Sequence, residues 1–291
     1  MRIGVVFPQT ELGGDVGAVR AYAEAVDGLG YEHVLAYDHV LGADPSVHEN
    51  WRGPYDVSTT FHEPFVLFGF LAGIVPSLEL VSGVIILPQR QTALVAKQAA
   101  EIDLLTGGRF RLGVGVGWNH VEYEALGQRF DQRGRREAEQ IELMRRLWTE
   151  PSVTFRGEFD TITGAGLAPM PIQRPIPVWL GGRSDPTYRR VGRLADGWFP
   201  QVRPGEDLDH ALSVIRESAS AAGRDASAIG MEGRASWSGD DPDKFVRQVD
   251  RWRAVGSTHL GIDTMYSGQV TVDDHIAALT RAAELVGVSS R

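Results

Sequence analysis

The apolar positions of this chain fall into a recurring order: a helix-spaced run, a glycine, then a short unbroken apolar run. Val16, Val19, Ala23, Val26 and Leu29 share one helical face, Gly30 follows as a C-cap, and His33-Val34-Leu35-Ala36-Tyr37-Asp38 comes next. The order returns with Leu94, Ile102 and Leu105 before Gly107-Gly108 and Phe110–Val116. It returns with Tyr188, Val191 and Leu194 before Gly197 and Trp198-Phe199, and with Phe245, Val249, Trp252 and Val255 before Gly256 and His259–Asp263. Apolar runs at Ile3–Phe7, Leu80–Leu87, Pro177–Leu180 and Ile229–Gly233 supply the other strands. Strands rich in Val, Ile and Leu without alternation are covered on both faces, as in a parallel sheet. Eight such units in 291 residues predict an α/β fold, a (β/α)8 TIM barrel running as one domain over residues 1–291. Periodicity alone leaves a doubly wound open sheet as the alternative.

Two stretches break the rhythm, one after strand 2 and one before strand 5. Leu41 to Glu63 carries Trp51, Tyr55 and Phe61. Following a strand end, it lies on the mouth of a barrel as a lid or substrate pocket, or else is a surface excursion or subunit contact. Ser152 to Ile176 holds a hairpin-like pair, Val153-Thr154-Phe155 and Phe159-Asp160-Thr161, then a proline-rich run. The uncharged run from Pro64 to Pro76 is too short to span a bilayer and reads as a buried helix.

Composition narrows the chemistry. The formal net charge is -9, which disfavours phosphate backbones and so nucleic acid as a partner. The lack of cysteine removes disulfides, thiolate nucleophiles and iron–sulfur clusters, and fits a cytoplasmic location. The only lysines, Lys97 and Lys244, fall in helical patterns, so no strand-end Schiff-base lysine is available. The histidines lack metal-ligand spacing, so no metal is expected. The N-terminus reads as a first strand and not as a leader.

Four motifs remain. Tyr37-Asp38-His39 closes strand 2; there Asp38 can orient the His39 ring and raise its basicity, or can simply cap the next loop. Gly113-Val114-Gly115-Val116-Gly117-Trp118-Asn119 leaves a strand face without side chains, which suits either a flat ring or tight packing within the barrel. Leu180-Gly181-Gly182-Arg183-Ser184-Asp185-Pro186 opens a helix, with exposed amides, a capping Ser184 or Asp185 and a cation, as a phosphate site or an ordinary capped turn. Pro88-Gln89-Arg90-Gln91 places Arg90 and Gln91 where they can meet cofactor oxygens, or forms another capped turn.

Together these segments, with Phe61-His62-Glu63-Pro64-Phe65 and Ala195-Asp196-Gly197-Trp198, resemble the luciferase-like monooxygenase superfamily, and within it the F420-dependent oxidoreductases. The resemblance covers nearly the whole chain. It implies a barrel with a ring cofactor at the C-terminal mouth, coenzyme F420 as first choice and FMN with oxygen and a partner reductase as the alternative. A non-catalytic flavin-carrying barrel is a further alternative. The resemblance implies a non-proline cis peptide near Val84-Ile85 beneath the ring, Asp38 and His39 beside its reacting edge, and Gly181, Gly182 and Arg183 near the phosphate, with Gly115, Gly117, Trp118, Asn119 and Ser184 completing the cofactor site. Where hydride-transferring relatives carry a glutamate after the fourth-strand glycines, this chain has Trp118, with Glu122 four residues on. His39 is therefore the first candidate for the proton and Glu122 the second, with Trp51, Tyr55 and Phe61 shaping a small-molecule pocket. A homodimer is implied on the same ground.

Overall fold

The computed structural model describes residues 1–290. In chain order the elements are β1 (Arg2–Val6), α1 (Gln9–Leu12), α2 (Val16–Gly28), β2 (His33–Ala36), α3 (Pro64–Ala72), β3 (Glu79–Ser82), β4 (Ile85–Ile86), α4 (Thr92–Leu105), β5 (Phe110–Gly115) and α5 (His120–Ala125). There follow α6 (Arg133–Thr149), β6 (Val153–Arg156), β7 (Thr161–Ala165), β8 (Val178–Gly182), α7 (Asp185–Leu194), β9 (Gly197–Pro200), α8 (Glu206–Ala221), β10 (Gly230–Ser236), α9 (Pro242–Ala254), β11 (His259–Asp263) and α10 (Val272–Val286).

The strands run in the order β3-β2-β1-β11-β10-β9-β8-β5-β4, and β3 also pairs with β5, which closes the sheet. All of these pairings are parallel. Since β3 and β4 are two parts of one stave, the barrel has eight, and the (β/α)8 expectation holds over the open sheet. The expected strand Leu80–Leu87 is broken at Gly83-Val84, where the peptide bond is cis. That is one bond earlier than the Val84-Ile85 expected. A Cβ on Gly83 would lie 2.3 Å from Leu35 Cδ2, so only glycine fits at the break. The hairpin β6–β7 forms as its sequence suggests, with Arg156 opposite Thr161.

Helices and strands bury one apolar layer between them, and the barrel bore holds a second, smaller one made of Val6, Leu35, Val81, Trp179, Phe199 and Met265. The helix patterns are only partly obeyed. Leu94 and Leu105 are exposed, and α4 buries Val95, Ala96, Ala99, Ala100 and Ile102 instead. Small residues let this helix lie close on the sheet. The apolar run that forms α3 is buried on one side, but Val66 is 73% exposed. Among the described residues no helix is long and apolar enough to cross a membrane.

Towards the N-terminal end of the staves the bore is closed by charges. Glu232 accepts from His33 Nε2 at 2.9 Å and from Arg111 Nη1 at 2.6 Å, and Arg111 also reaches Glu79. Arg111 lies over the Trp179 ring at 4.3 Å. Burial works to raise the pKa of Glu232, but the charges of His33 and Arg111 outweigh it and hold the carboxyl down to about 2. A folded value below the unfolded one stabilises above the unfolded value near 4.5, and the stabilisation is lost as pH falls toward about 2. We expect Glu232→Gln to lower stability at pH 7 by about 3 kcal/mol, because it leaves buried cations unpaired. The gap from wild type should narrow below about pH 4.5. Urea denaturation at a series of pH values measures both effects.

Candidate active site

At the opposite end the strand termini open into a cleft of about 670 Å³. Its floor is Val84, which the break in the third stave pushes up between the glycines of two neighbouring staves. A Cβ on Gly115 would lie 2.7 Å from Val84 Cγ2, and one on Gly181 would lie 3.0 Å from Val84 Cγ1. A side chain at Gly115 would clash with Val84 and one at Gly181 would press against it, so the glycines keep the floor flat and apolar. Gly117 has φ +65°, and a Cβ there would lie 2.7 Å from Ile86.

One end of the cleft is polar. Gly181, Gly182, Arg183, Ser184, Thr187 and Arg133 line it. Ser184 occupies the N-cap of α7, but no side chain caps that helix, so the first-turn amides of Asp185 and Thr187, Pro186 having none, remain available to a ligand. Gly182 has φ +142°, a Cβ there would meet Thr187 at 2.9 Å, and its carbonyl accepts from Trp198 Nε1 at 3.1 Å. Among the described residues neither Arg133 nor Arg183 has a carboxylate within 4.0 Å, and the buried Arg133 Nε has no hydrogen-bond partner. Two guanidinium groups without a carboxylate partner beside an uncapped helix start make this end a positively charged pole, suited to an anion.

The other end is aromatic. The His39 ring touches Tyr55, Phe61 and Trp118, with ring centroids 5.1, 4.7 and 5.4 Å away. His39 Nδ1 lies 3.2 Å from Glu122 Oε2. Glu122 sits on α5 and is buried; its Oε1 accepts from the amides of Val40 at 2.6 Å and Leu41 at 3.1 Å, and Gln89 Nε2 approaches Oε2 at 3.4 Å. Burial acts to raise this carboxyl, but the His39 and backbone hydrogen bonds outweigh it and hold it below the usual carboxylate range. With Glu122 ionised, Nδ1 is the protonated ring nitrogen and Nε2 is left free.

A model of the family described as luciferase-like monooxygenase matches residues 1–232. The chain belongs to this family. Among curated relatives of this luciferase-like protein, the uncharacterized protein Mb0965c of Mycobacterium bovis is 38% identical over 164 residues, which is 56% of either chain. This chain therefore spans a little over half the length of that relative. The FMNH(2)-dependent dimethylsulfone monooxygenase of Pseudomonas putida is 32% identical over 72% of this chain and 55% of its own. A solved F420-dependent secondary alcohol dehydrogenase, in complex with an F420-acetone adduct, shares the fold with a TM-score of 0.81, 17% identity and 98% coverage of both chains.

The cleft of this family member gathers most of the residues named from the sequence: Asp38, His39, Tyr55, Val84, Gly115, Gly117, Trp118, Gly181, Gly182, Arg183 and Ser184 all line it. Several roles need correction. Asp38 does not orient His39. Its Oδ1 accepts from Arg90 Nη2 at 2.8 Å and its Oδ2 from the Ile86 amide at 3.0 Å. Arg90 is in turn held by Glu63 at 2.9 Å, so it is not free for cofactor oxygens, and Gln91 is an exposed residue at the start of α4. Glu122 is the partner of His39 and, being ionised, is no source of a proton. Asn119 is a structural cap: Oδ1 accepts from the Val121 and Glu122 amides, and Nδ2 donates to the Leu41 carbonyl. Ile85 points into the main core, away from the cleft.

Phe61 touches His39 but lines a side cleft of about 260 Å³, and Trp51 lines an outer cleft of about 560 Å³ that shares Trp118 as a wall. A Cβ on Gly53 would lie 2.3 Å from the Trp118 ring, so this glycine lets the loop after β2 close on the indole. The sequence reading did not assign Arg133, Thr187, Gln201 or Arg234, which also line the cleft. Arg234 donates to the Tyr37 hydroxyl. Thr187 had a signal, being the first hydroxyl after the Gly-Gly turn inside α7; Arg133, fifty residues upstream in another helix, had none.

We expect Glu122→Gln to weaken the attachment of the segment after β2, at a cost of about 2 kcal/mol for the charge-assisted bonds lost. Hydrogen exchange should then accelerate at the Val40 and Leu41 amides and not at the barrel strands. Uniform acceleration would show that the carboxylate supports the whole fold equally.

Proposed function

We propose that the protein is an oxidoreductase that moves a hydride between coenzyme F420, a deazaflavin, and a small organic substrate. One observation carries this reading: a flat apolar floor, Val84 between Gly115 and Gly181, leads directly to a pole with two uncompensated arginines. A planar ring with an anionic tail matches both halves. Arg183 is exposed at the rim, which suits a tail that carries further negative charge beyond its phosphate into solvent. The lining suits such a group: Val84 and the glycines would hold the ring, and Gly182, Ser184, Thr187, Arg133 and Arg183 the tail.

When bound in its reduced form, the deazaflavin would supply one hydride, that is two electrons, without ready reaction with oxygen. The remaining work falls to the chain. Tyr55 and Trp118 wall the space above the floor, with Phe61 behind His39, and they exclude water from it. Glu122 fixes Nδ1–H, so His39 Nε2 is the atom that meets a substrate oxygen and handles its proton. Trp118, where a glutamate is found in hydride-transferring relatives, leaves that edge apolar and suits an uncharged substrate.

FMN is the second reading. It is favoured by the 32% identity to the FMNH(2)-dependent monooxygenase of Pseudomonas putida, and the same pole would hold its phosphate.

Fluorescence titration of the purified protein with F420 and with FMN separates the two. We expect F420 to bind preferentially and its reduced form to be oxidised by acceptors from a panel of carbonyls and enones. Preferential binding of FMN would reverse the cofactor choice, and binding of neither would end the reading. Gly182→Asp should weaken binding by at least about tenfold through charge repulsion. The isosteric Gly182→Asn separates this from backbone strain, which both variants share at φ +142°. His39→Gln should lower turnover by about a hundredfold with cofactor affinity unchanged. Lost affinity at unchanged turnover per bound cofactor would place His39 in binding and not in chemistry.

A further inference from the structure

Behind the anion pole, Arg190 of α7 reaches in two directions. Its Nε donates to Glu137 Oε2 on α6 at 2.9 Å, and its Nη2 donates to Thr187 Oγ1 at 3.3 Å. Glu137 is buried, and its Oε1 has no hydrogen-bond partner. Gly134, one turn earlier on α6, leaves space for the guanidinium: a Cβ there would lie 3.1 Å from Arg190 Nη1. Arg190 itself does not line the cleft, but Thr187 does.

The direction of these bonds matters. A guanidinium only donates, so Thr187 Oγ1 accepts from Arg190 and keeps its own proton to give. The hydroxyl can then donate to Ser184 Oγ, 3.1 Å away, or to an oxygen in the cleft. A rotor that could otherwise present a lone pair to an anion is set to present a proton.

We propose that Arg190, gripped by Glu137, is a positioning residue of the anion pole: it fixes the Thr187 hydroxyl as a donor to a cofactor phosphate and lends the pole a charge that the Glu137 carboxylate cancels. This rests on the reading that a phosphate occupies the pole.

Burial raises the Glu137 carboxyl to about 7, with the Arg190 charge and hydrogen bond pulling the other way. Tyr123 of α5 faces the same region, and Arg133 and Arg136 flank Glu137 on α6. From α4, Thr92 meets α6 through Gln140, and the Arg90 carbonyl meets Gln140 and Arg136; both are uncharged groups. As pH rises through about 7, Glu137 ionises and neutralises Arg190, so affinity for the phosphate falls. By linkage, a bound phosphate favours the protonated carboxyl.

The experiment compares ligands that differ only in the phosphate-bearing tail: F420 against its phosphate-free deazariboflavin, and FMN against riboflavin. Dissociation constants are measured by fluorescence from pH 6 to 8.5 on the full chain, Glu137→Gln, Arg190→Lys, Arg190→Gln and the double variant Glu137→Gln/Arg190→Gln. For the phosphorylated member of the pair that binds, we expect Arg190→Gln to weaken affinity about tenfold, and Arg190→Lys to recover part of the loss. The phosphate-free member should change little. Glu137→Gln should bind the phosphorylated member more tightly above pH 7 and flatten the pH dependence. Its difference from wild type cancels the phosphate's own titration. The double variant carries no unpaired buried charge and should match Arg190→Gln, so misfolding of the single variant does not decide the matter. Equal effects on both members, or no effect on either, would overturn the proposal. If the wild-type chain binds both members equally, the phosphate pole itself is wrong and the relay falls with it.

Discussion

The Glu122 carboxylate joins three staves of the barrel at their open ends. It stands at the start of α5, just past β5; it accepts the amides of Val40 and Leu41 and the His39 ring, which follow β2; and Gln89, beyond β4, approaches it. A buried carboxylate with so many donors stays ionised, and an ionised buried carboxylate demands that those donors stay in place. His39 is therefore held by the strongest local acceptor. The segment that follows is tethered at its first residues and then departs to form the aromatic wall. The position of Tyr55, Phe61 and Trp118 around the imidazole follows from that tether.

A second constraint works from the other end of the bore. Charges inside a barrel must be paired, and here Glu232, Arg111, His33 and Glu79 pair with one another. His259 stacks edge-on against Trp179 at 5.0 Å, and burial together with the Arg111 charge lowers its basicity to about 3, so it stays neutral. Above this layer lies the small apolar cluster with Trp179 and Phe199. The bore is thus largely filled from below, and the wide cleft lies at the mouth. Arg234 and Tyr37, which bond to each other at the top of this column, join the filled interior to the cleft wall.

The barrel was readable because each helix and strand follows from its own local spacing, and the strand at His259–Asp263 falls where the pattern puts it. The glycine segments were readable for a related reason: an absent side chain leaves a gap wherever the strand lies. Pairings were not readable. Asp38 looked like the partner of its neighbour His39, but the acid found Arg90 instead, 52 residues away. The acid that does meet His39 lies 83 residues on. Asn119 sits in a motif that suggests a ligand site, yet it spends its side chain on capping α5 and holding the Leu41 carbonyl. The cations of the pole come from α6 and the α7 entry, and only the fold brings them together.

These pairings also restrict where a proton can come from. Asp38 is pushed up by burial, but each of its oxygens is already engaged, one by Arg90 and one by the Ile86 amide. Glu63 is tied to Arg90, and Glu122 is held ionised. The Tyr37 phenol is raised by burial, accepts from Arg234 and hydrogen-bonds to Asp263. Two groups are left at the aromatic end: His39 through Nε2, and the Tyr55 hydroxyl, which burial raises as well. Of these, only His39 is backed by a fixed anion, which stabilises the imidazolium that forms whenever the ring takes up a proton. A phenol with no such partner can donate a hydrogen bond but gains nothing from its surroundings when it loses the proton. The physical difference between the two is the buried carboxylate behind the imidazole, and under the proposed function it favours His39 over Tyr55 for handling the proton.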